Sequence, residues 1–162
     1  MKKPLKIAAL LSAVIILLTV CFACEPPDGD TQTGTGIFAE LVISCATVLD
    51  NMDSLKSELI DFVPPDGIIL ARGQFEIKEK ETILAFAVRI CRAKGIPLIT
   101  SGGYISGIGN ISEKSVGLDS GWLVKRNGEF LKVGAGGVYV RGGDFVEFGY
   151  TCQIGDTGYG YS

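Results

Sequence analysis

The chain has 162 residues, one ordinary domain plus flanking segments. It contains no histidine, which removes the usual general base, Ser-His triads and imidazole metal ligands. Fifteen basic residues stand against 18 acidic ones, a net charge of −3, and no basic cluster overrides that balance, so nucleic acid is not an expected partner.

Lys2, Lys3 and Lys6 precede an apolar run, Ile7 to Val20, broken only by Ser12 and Thr19. This is the basic start and apolar centre of an export signal. Left uncleaved, Leu5 to Ala23 could just cross a hydrocarbon layer of roughly 30 Å at ~1.5 Å per residue. The segment ends VCFAC. Ala23-Cys24 resembles the lipobox of bacterial lipoproteins and makes Cys24 the candidate lipid attachment site, beside the plainer reading of a cleaved signal without lipid. A Cys-x-x-Cys redox or metal pair is disfavoured by the apolar export context. Residues 1–24 are thus expected to be an export signal of lipoprotein type, and the protein to sit at the outer face of a bacterial cytoplasmic membrane or on the cell surface. Removing them takes away three lysines and no acid, leaving 12 basic and 18 acidic residues, a net charge of −6.

Residues 25–36 (EPPDGDTQTGTG) hold no apolar side chain and read as a tether. The domain is expected over 37–151, with a short tail over 152–162. Leu41 to Leu49 is β-rich and apolar, a strand by composition. Met52, Leu55, Leu59 and Phe62 recur at three and four residues, predicting a short helix. Val63-Pro64-Pro65-Asp66-Gly67 ends it. Ile68 to Ala71 and Gln74 to Ile77 predict two short strands. Glu81 to Lys94 is the clearest helix, with Ile83, Phe86, Ala87, Ile90 and Cys91 on one face, Arg89 and Arg92 away from it, and Gly95 and Pro97 behind it. The run KEKE (78–81) reads as its solvated start.

Short strands follow. Ile96 to Thr100 and Tyr104 to Ile108 flank a glycine-rich turn. Trp122 to Arg126 and Glu129 to Val133 flank Asn127-Gly128, the strongest short hairpin signal, because both turn positions need positive φ. Val138 to Arg141 and Phe145 to Tyr150 complete the set around Gly142-Gly143-Asp144. One helix against an antiparallel-rich mixed sheet is an α+β fold, with a β-grasp topology as the natural candidate.

Enzyme readings find no support. A cysteine nucleophile lacks a histidine partner. Ser101-Gly102-Gly103 has no nucleophile-elbow context. Gly107-Ile108-Gly109 is followed by no helix that would hold a phosphate. Asp28 and Asp30 form no calcium loop. Cys45 and Cys91 read as buried free thiols, while Cys152 could pair or stay free.

Several motifs then come in order: Gly102-Gly103-Tyr104-Ile105-Ser106-Gly107-Ile108-Gly109, Ser120-Gly121-Trp122, Asn127-Gly128-Glu129-Phe130, Val133-Gly134-Ala135 and Gly143-Asp144-Phe145-Val146-Glu147-Phe148. With Thr47 to Met52 (TVLDNM), they resemble the C-terminal β-domain of transcobalamin and intrinsic factor and its relatives among bacterial surface proteins, over roughly Ala39 to Thr151. The resemblance implies a non-catalytic, soluble-ligand-binding β-grasp module that meets a corrin-like face, with no resident cofactor and a corrinoid as possible ligand. In those carriers the corrin lies between two domains, and the resemblance covers one of them. Tyr104, Ile105, Ser106, Trp122, Phe130, Gly134 and Ala135 are the candidate ligand-binding residues. An indole offers a large rigid contact, and glycine-rich backbone can approach ligand amides. Trp122 and, more so, Phe130 read more readily as core rings than as contact residues, and the glycines also read as turn residues.

Two functions remain open. One is a tethered module that captures a small ligand and hands it to a membrane transporter or surface-protein partner. The other is an adhesion or structural module that binds a protein or polymer through its sheet edge. An exposed Trp122 beside an apolar hollow favours the first, and a buried Trp122 with a flat unpaired edge the second.

Overall fold

The computed structural model describes residues 35–157. The expected signal (1–24), Cys24, almost all of the tether and the last five residues lie outside the described residues. No helix among those described is long and apolar enough to cross a membrane.

Strand β1, Phe38–Ser44, alternates as half-buried strands do, with Ala39, Leu41 and Ile43 inward. It pairs antiparallel with β2, Ile68–Glu76. Two strands were expected where β2 runs unbroken, because irregular register opposite Leu41 to Ser44 absorbs Ala71 and Arg72 without ending the ladder. The expected strand Leu41 to Leu49 starts earlier and stops at Ser44. There Ser44 Oγ accepts from Ala46 N–H at 3.2 Å, and Cys45 N–H donates to Gly67 O at 2.7 Å. Gly67 has φ +68°, and an added Cβ would strike the Ala46 backbone, so only glycine fits that crossing.

The helix expected over Met52 to Phe62 is instead two 3-10 segments, Ala46–Ser54 and Ser57–Phe62. Leu55 is extended between them (ψ 139°), and Lys56 N–H leaves the helical ladder to donate to Ser115 O at 3.2 Å. Serine and aspartate there compete for the backbone, and so short a stretch has little helical stability to set against a tertiary bond. Leu55 is buried, but Phe62 is about half exposed.

Helix α1, Ile83–Ala93, matches its expectation closely. Thr82 caps it, its hydroxyl accepting from Ala85 N–H at 3.2 Å, and Gly95 ends it at φ +69°. Ile83, Phe86, Ala87, Ile90 and Cys91 pack into the core. The solvated start expected for KEKE is wrong at Glu81, which is buried. Arg89 folds back along the helix and donates to both Glu81 oxygens (2.7 and 2.9 Å) and to Glu76 O at 2.7 Å. Burial would push the Glu81 carboxyl up, but the Arg89 hydrogen bonds, the Lys78 N–H and nearby positive charge outweigh it, and the net shift is downward.

Next comes a separate three-stranded antiparallel sheet: β3 (Leu98–Ser101), β4 (Tyr104–Ile108) and the unanticipated β5 (Ile111–Ser112). The chain then returns to the first sheet through β6 (Gly121–Arg126), the two-residue β7 (Glu129–Phe130) and β8 (Phe145–Thr151). The order is β2-β1-β8-β6-β7, with β1 and β8 parallel at the centre and the other pairs antiparallel. A mixed sheet with terminal strands parallel in the middle and one helix across its face is the β-grasp arrangement, and the fold is α+β. Val138 to Arg141 forms no strand of its own. It contributes one bridge, Thr82 to Tyr139, because Val138 O and Val140 N–H are bonded to the start of α1.

Candidate functional site

The hairpin β6–β7 turns at Asn127 and Gly128 with φ of 55° and 84°, the two positive values the sequence requires. Asn127 also holds the neighbouring strand. Its Oδ1 accepts from Phe145 N–H at 2.8 Å, and its Nδ2 donates to Asp144 Oδ1 at 3.0 Å. Asp144 is buried, accepts from Arg141 N–H at 2.8 Å, and lies 2.8 Å from Arg126 Nε. That last pair is close without an aligned hydrogen bond, so it acts as an ion pair.

Ser120-Gly121-Trp122 joins the two sheets. Trp122 is 3% exposed, donates from Nε1 to Ile111 O at 2.8 Å, and meets Tyr150 edge-on with ring centroids 5.2 Å apart. Ser120 Oγ accepts from Val116 and Gly117 N–H and lies 2.9 Å from the Tyr150 hydroxyl. Tyr150 OH donates to Ser112 O at 2.7 Å and accepts from Ser115 N–H at 3.2 Å. The indole is therefore a core ring with a satisfied N–H, and does not present a bare face to a partner as an exposed Trp122 would.

A second junction is built from glycine. Gly136 N–H donates to Gly103 O at 3.2 Å. A Cβ on Gly136 would stand 3.1 Å from Gly103 Cα, and one on Gly134 would stand 3.1 Å from Gly103 O. The β3–β4 turn therefore touches the Ala135–Gly137 3-10 turn backbone to backbone, and a Cβ at either glycine would require the facing backbone to give by a few tenths of an ångström.

Between these junctions lies a groove of about 260 Å³. Its lining includes Tyr104, Ile105, Trp122, Phe130, Gly134 and Ala135, six of the seven residues singled out from sequence. Ser106 is not among them: it is the next position on β4 and bonds Ile99 O at 3.4 Å instead. Leu123, Val124, Leu131, Lys132 and Val133 complete the lining. Leu131, Lys132 and Val133 follow Phe130 where a strand was expected to continue to Val133, and Leu123 and Val124 lie on the expected strand Trp122 to Arg126 without having been singled out. The ladder ends with Leu131 N–H on Val124 O, and Val133 stands 61% exposed at the rim. At the other rim Tyr104 OH lies 3.4 Å from Glu113 Oε2. Burial, and then Glu113, push its phenol up. The groove is mainly apolar, with Lys132 the one charged residue in its lining.

Among the described residues no group of three or more His, Cys, Asp or Glu could hold a metal ion. Cys45, Cys91 and Cys152 are free and buried. Burial drives the Cys45 and Cys91 thiols up to about 11 and also raises Cys152.

A family model described as a domain of unknown function, DUF4430, matches residues 87–151. That stretch runs from the middle of α1 to the end of β8 and contains all seven predicted residues. A crystal structure of a candidate metal-binding protein from Ruminococcus gnavus is similar at 11% identity, covering 71% of this chain and 96% of that one, with a TM-score of 0.40. No curated protein matches the chain.

Proposed function

We propose that this chain is a non-catalytic binding module that holds part of a small ligand in the groove between its two sheets. The observation that carries the reading is the convergence of Tyr104, Ile105, Trp122, Phe130, Gly134 and Ala135 on one mainly apolar hollow. At about 260 Å³ it is slightly smaller than the roughly 300–1,000 Å³ of sites that enclose a ligand. A larger molecule would therefore leave most of its surface for a second domain or partner. A corrinoid is the candidate ligand, on the strength of the sequence resemblance alone: a corrin edge with its amides would lie against Tyr104, Val133 and the Lys132–Gly134 backbone. The sequence of residues 1–36 supports an exported, membrane-tethered setting in which captured ligand passes to a transporter or surface protein.

The alternative, docking through a sheet edge, is favoured by the burial of Trp122. It is disfavoured at β2, the longest edge strand, whose irregular register and exposed Arg72, paired with Glu40 and stacked on Phe145, blunt it against a further strand.

Titration of the full chain with cobinamide and cobalamin, followed by calorimetry and the visible spectrum, tests the proposal. Tyr104→Ala and Val133→Asp change the rim without touching the Trp122 hydrogen bond, so binding should weaken while the unfolding transition stays in place. Saturable binding indifferent to both variants would move the site elsewhere, and no binding at high micromolar ligand would remove the stand-alone corrinoid reading.

A further inference from the structure

The lining of the groove holds one cation and no acid. Lys132 is its single charged residue, and that side chain enters no salt bridge or hydrogen bond among the described residues. The basic residues of β6 are engaged. Lys125 Nζ donates to Thr157 O at 3.0 Å, and Arg126 Nε lies 2.8 Å from Asp144. Glu113, the acid at the opposite rim, stands outside the lining, with Oε2 3.4 Å from the Tyr104 hydroxyl.

The backbone beside Lys132 adds donors. The ladder ends with Leu131 N–H on Val124 O. The next three residues, Lys132, Val133 and Gly134, are exposed, and their N–H groups have no acceptor among the described residues. Main-chain N–H groups always seek an acceptor, so these bond whatever fills the rim. Two carbonyls of the adjoining glycine junction are already taken: Gly103 O accepts from Gly136 N–H, and Gly134 O from Gly137 N–H. One wall of the groove therefore combines apolar side chains, an unpaired ammonium and unpaired backbone donors. That set complements a carboxylate joined to an apolar body. Charge-assisted hydrogen bonds to a carboxylate are roughly twice as strong as neutral ones, and unpaired backbone N–H groups are a recurrent means of holding one.

We propose that the groove takes an apolar compound bearing a carboxylate, or the acidic part of a larger ligand. The apolar body lies against Leu123, Leu131 and Val133, and the carboxylate accepts from Lys132 Nζ and the neighbouring N–H groups. This inference rests on the reading of the groove as a ligand site, and not on the ligand being a corrinoid.

The test uses the full chain near neutral pH and phenylacetate as probe, with neutral phenylacetamide as its isostere, read by amide NMR shifts. Phenylacetate should shift Leu131 to Ala135 and bind about 5- to 10-fold more tightly than the amide, between the effect of an exposed ion pair and that of a charge-assisted hydrogen bond. Lys132→Met keeps the aliphatic stem and removes the charge, so the acid should weaken ~5-fold and the amide stay unchanged. Added salt should weaken the acid alone. Val133→Asp, which sets a like charge beside the site, should cost the acid more than the amide. N-acetylglycylphenylalanine separates the two sources of such a group: binding tighter than phenylacetate assigns a peptide terminus, and equal or weaker binding a free organic acid. Equal binding of acid and amide, or acid binding indifferent to Lys132→Met, would overturn the proposal. Silence of both at millimolar concentration, with cobinamide still responding to Tyr104→Ala, would overturn it and leave the groove as a site. Silence of cobinamide as well would remove both readings.

Discussion

Tyr150→Phe removes a single oxygen from the junction between the two sheets. The ring stays, with its edge-on contact to Trp122, so the change isolates the hydroxyl. That hydroxyl is bonded to Ser112 O and Ser115 N–H and lies beside Ser120 Oγ. Ser120 Oγ keeps its contacts with Val116, Gly117 N–H and Gly117 O, so it loses little. Ser115 is 2% exposed, but its N–H also donates to Ser112 O at 3.2 Å, so these two groups keep each other when the hydroxyl goes. What is lost is the hydroxyl's own one or two hydrogen bonds at ~1 kcal/mol each, so the expected loss is about 1–2 kcal/mol. For a domain of this size that lowers the thermal midpoint by roughly 4–8 °C. Urea unfolding followed by tryptophan fluorescence reads the free energy directly, since Trp122 is the sole tryptophan. A loss below ~0.5 kcal/mol would refute the view that this hydroxyl ties the small sheet to the large one.

Other outcomes follow from the same geometry. Arg89→Leu strands the Glu81 carboxylate and should cost about 3 kcal/mol by chemical denaturation, whereas a surface pair would cost under ~1 kcal/mol. The folded-state pKa of Glu81 is depressed. Its stabilisation is therefore complete above the ordinary glutamate range and lost as pH falls through the folded value, and Glu81→Gln should flatten that acid limb of the stability curve. Gly67→Ala should destabilise by ~3 kcal/mol or more, through both its positive φ and the Ala46 backbone; a cost near zero would show that the crossing can open. In Cys21→Ser/Cys24→Ser, a thiol reagent at neutral pH should label Cys45, Cys91 and Cys152 only on unfolding, as expected of buried thiols with raised pKa; fast labelling of the native chain would contradict it.

Local signals with a single structural solution were legible in the sequence. The helix, expected over Glu81 to Lys94 and found over 83–93, has an apolar face and is stopped by Gly95 and Pro97. The hairpin at Asn127-Gly128 needs two positive φ values. The strand expected over Phe145 to Tyr150 alternates and is found with one residue more, to Thr151. Each depends on the periodicity or steric freedom of adjacent residues. The six residues that converge on the groove were named on the strength of the family resemblance, not of local periodicity or turn chemistry. Long-range partners were not legible. Glu81 looked solvated because nothing local reveals that Arg89, two turns on, folds back over it. Met52 to Phe62 carries a helical spacing, but a hydrogen bond from Lys56 to a loop some sixty residues away breaks it. Trp122 read as a core ring somewhat more readily than as a binding surface, and its burial with the indole N–H on the carbonyl of Ile111 bears out the core reading. Ser106 sits one position beyond the groove because alternate strand residues face opposite ways, and which face meets the groove depends on how two sheets pack. The residues by themselves determined the elements and their punctuation. Only the tertiary structure decided which polar atoms found partners, since a buried donor must be satisfied by whatever the fold brings near it, at any distance along the chain.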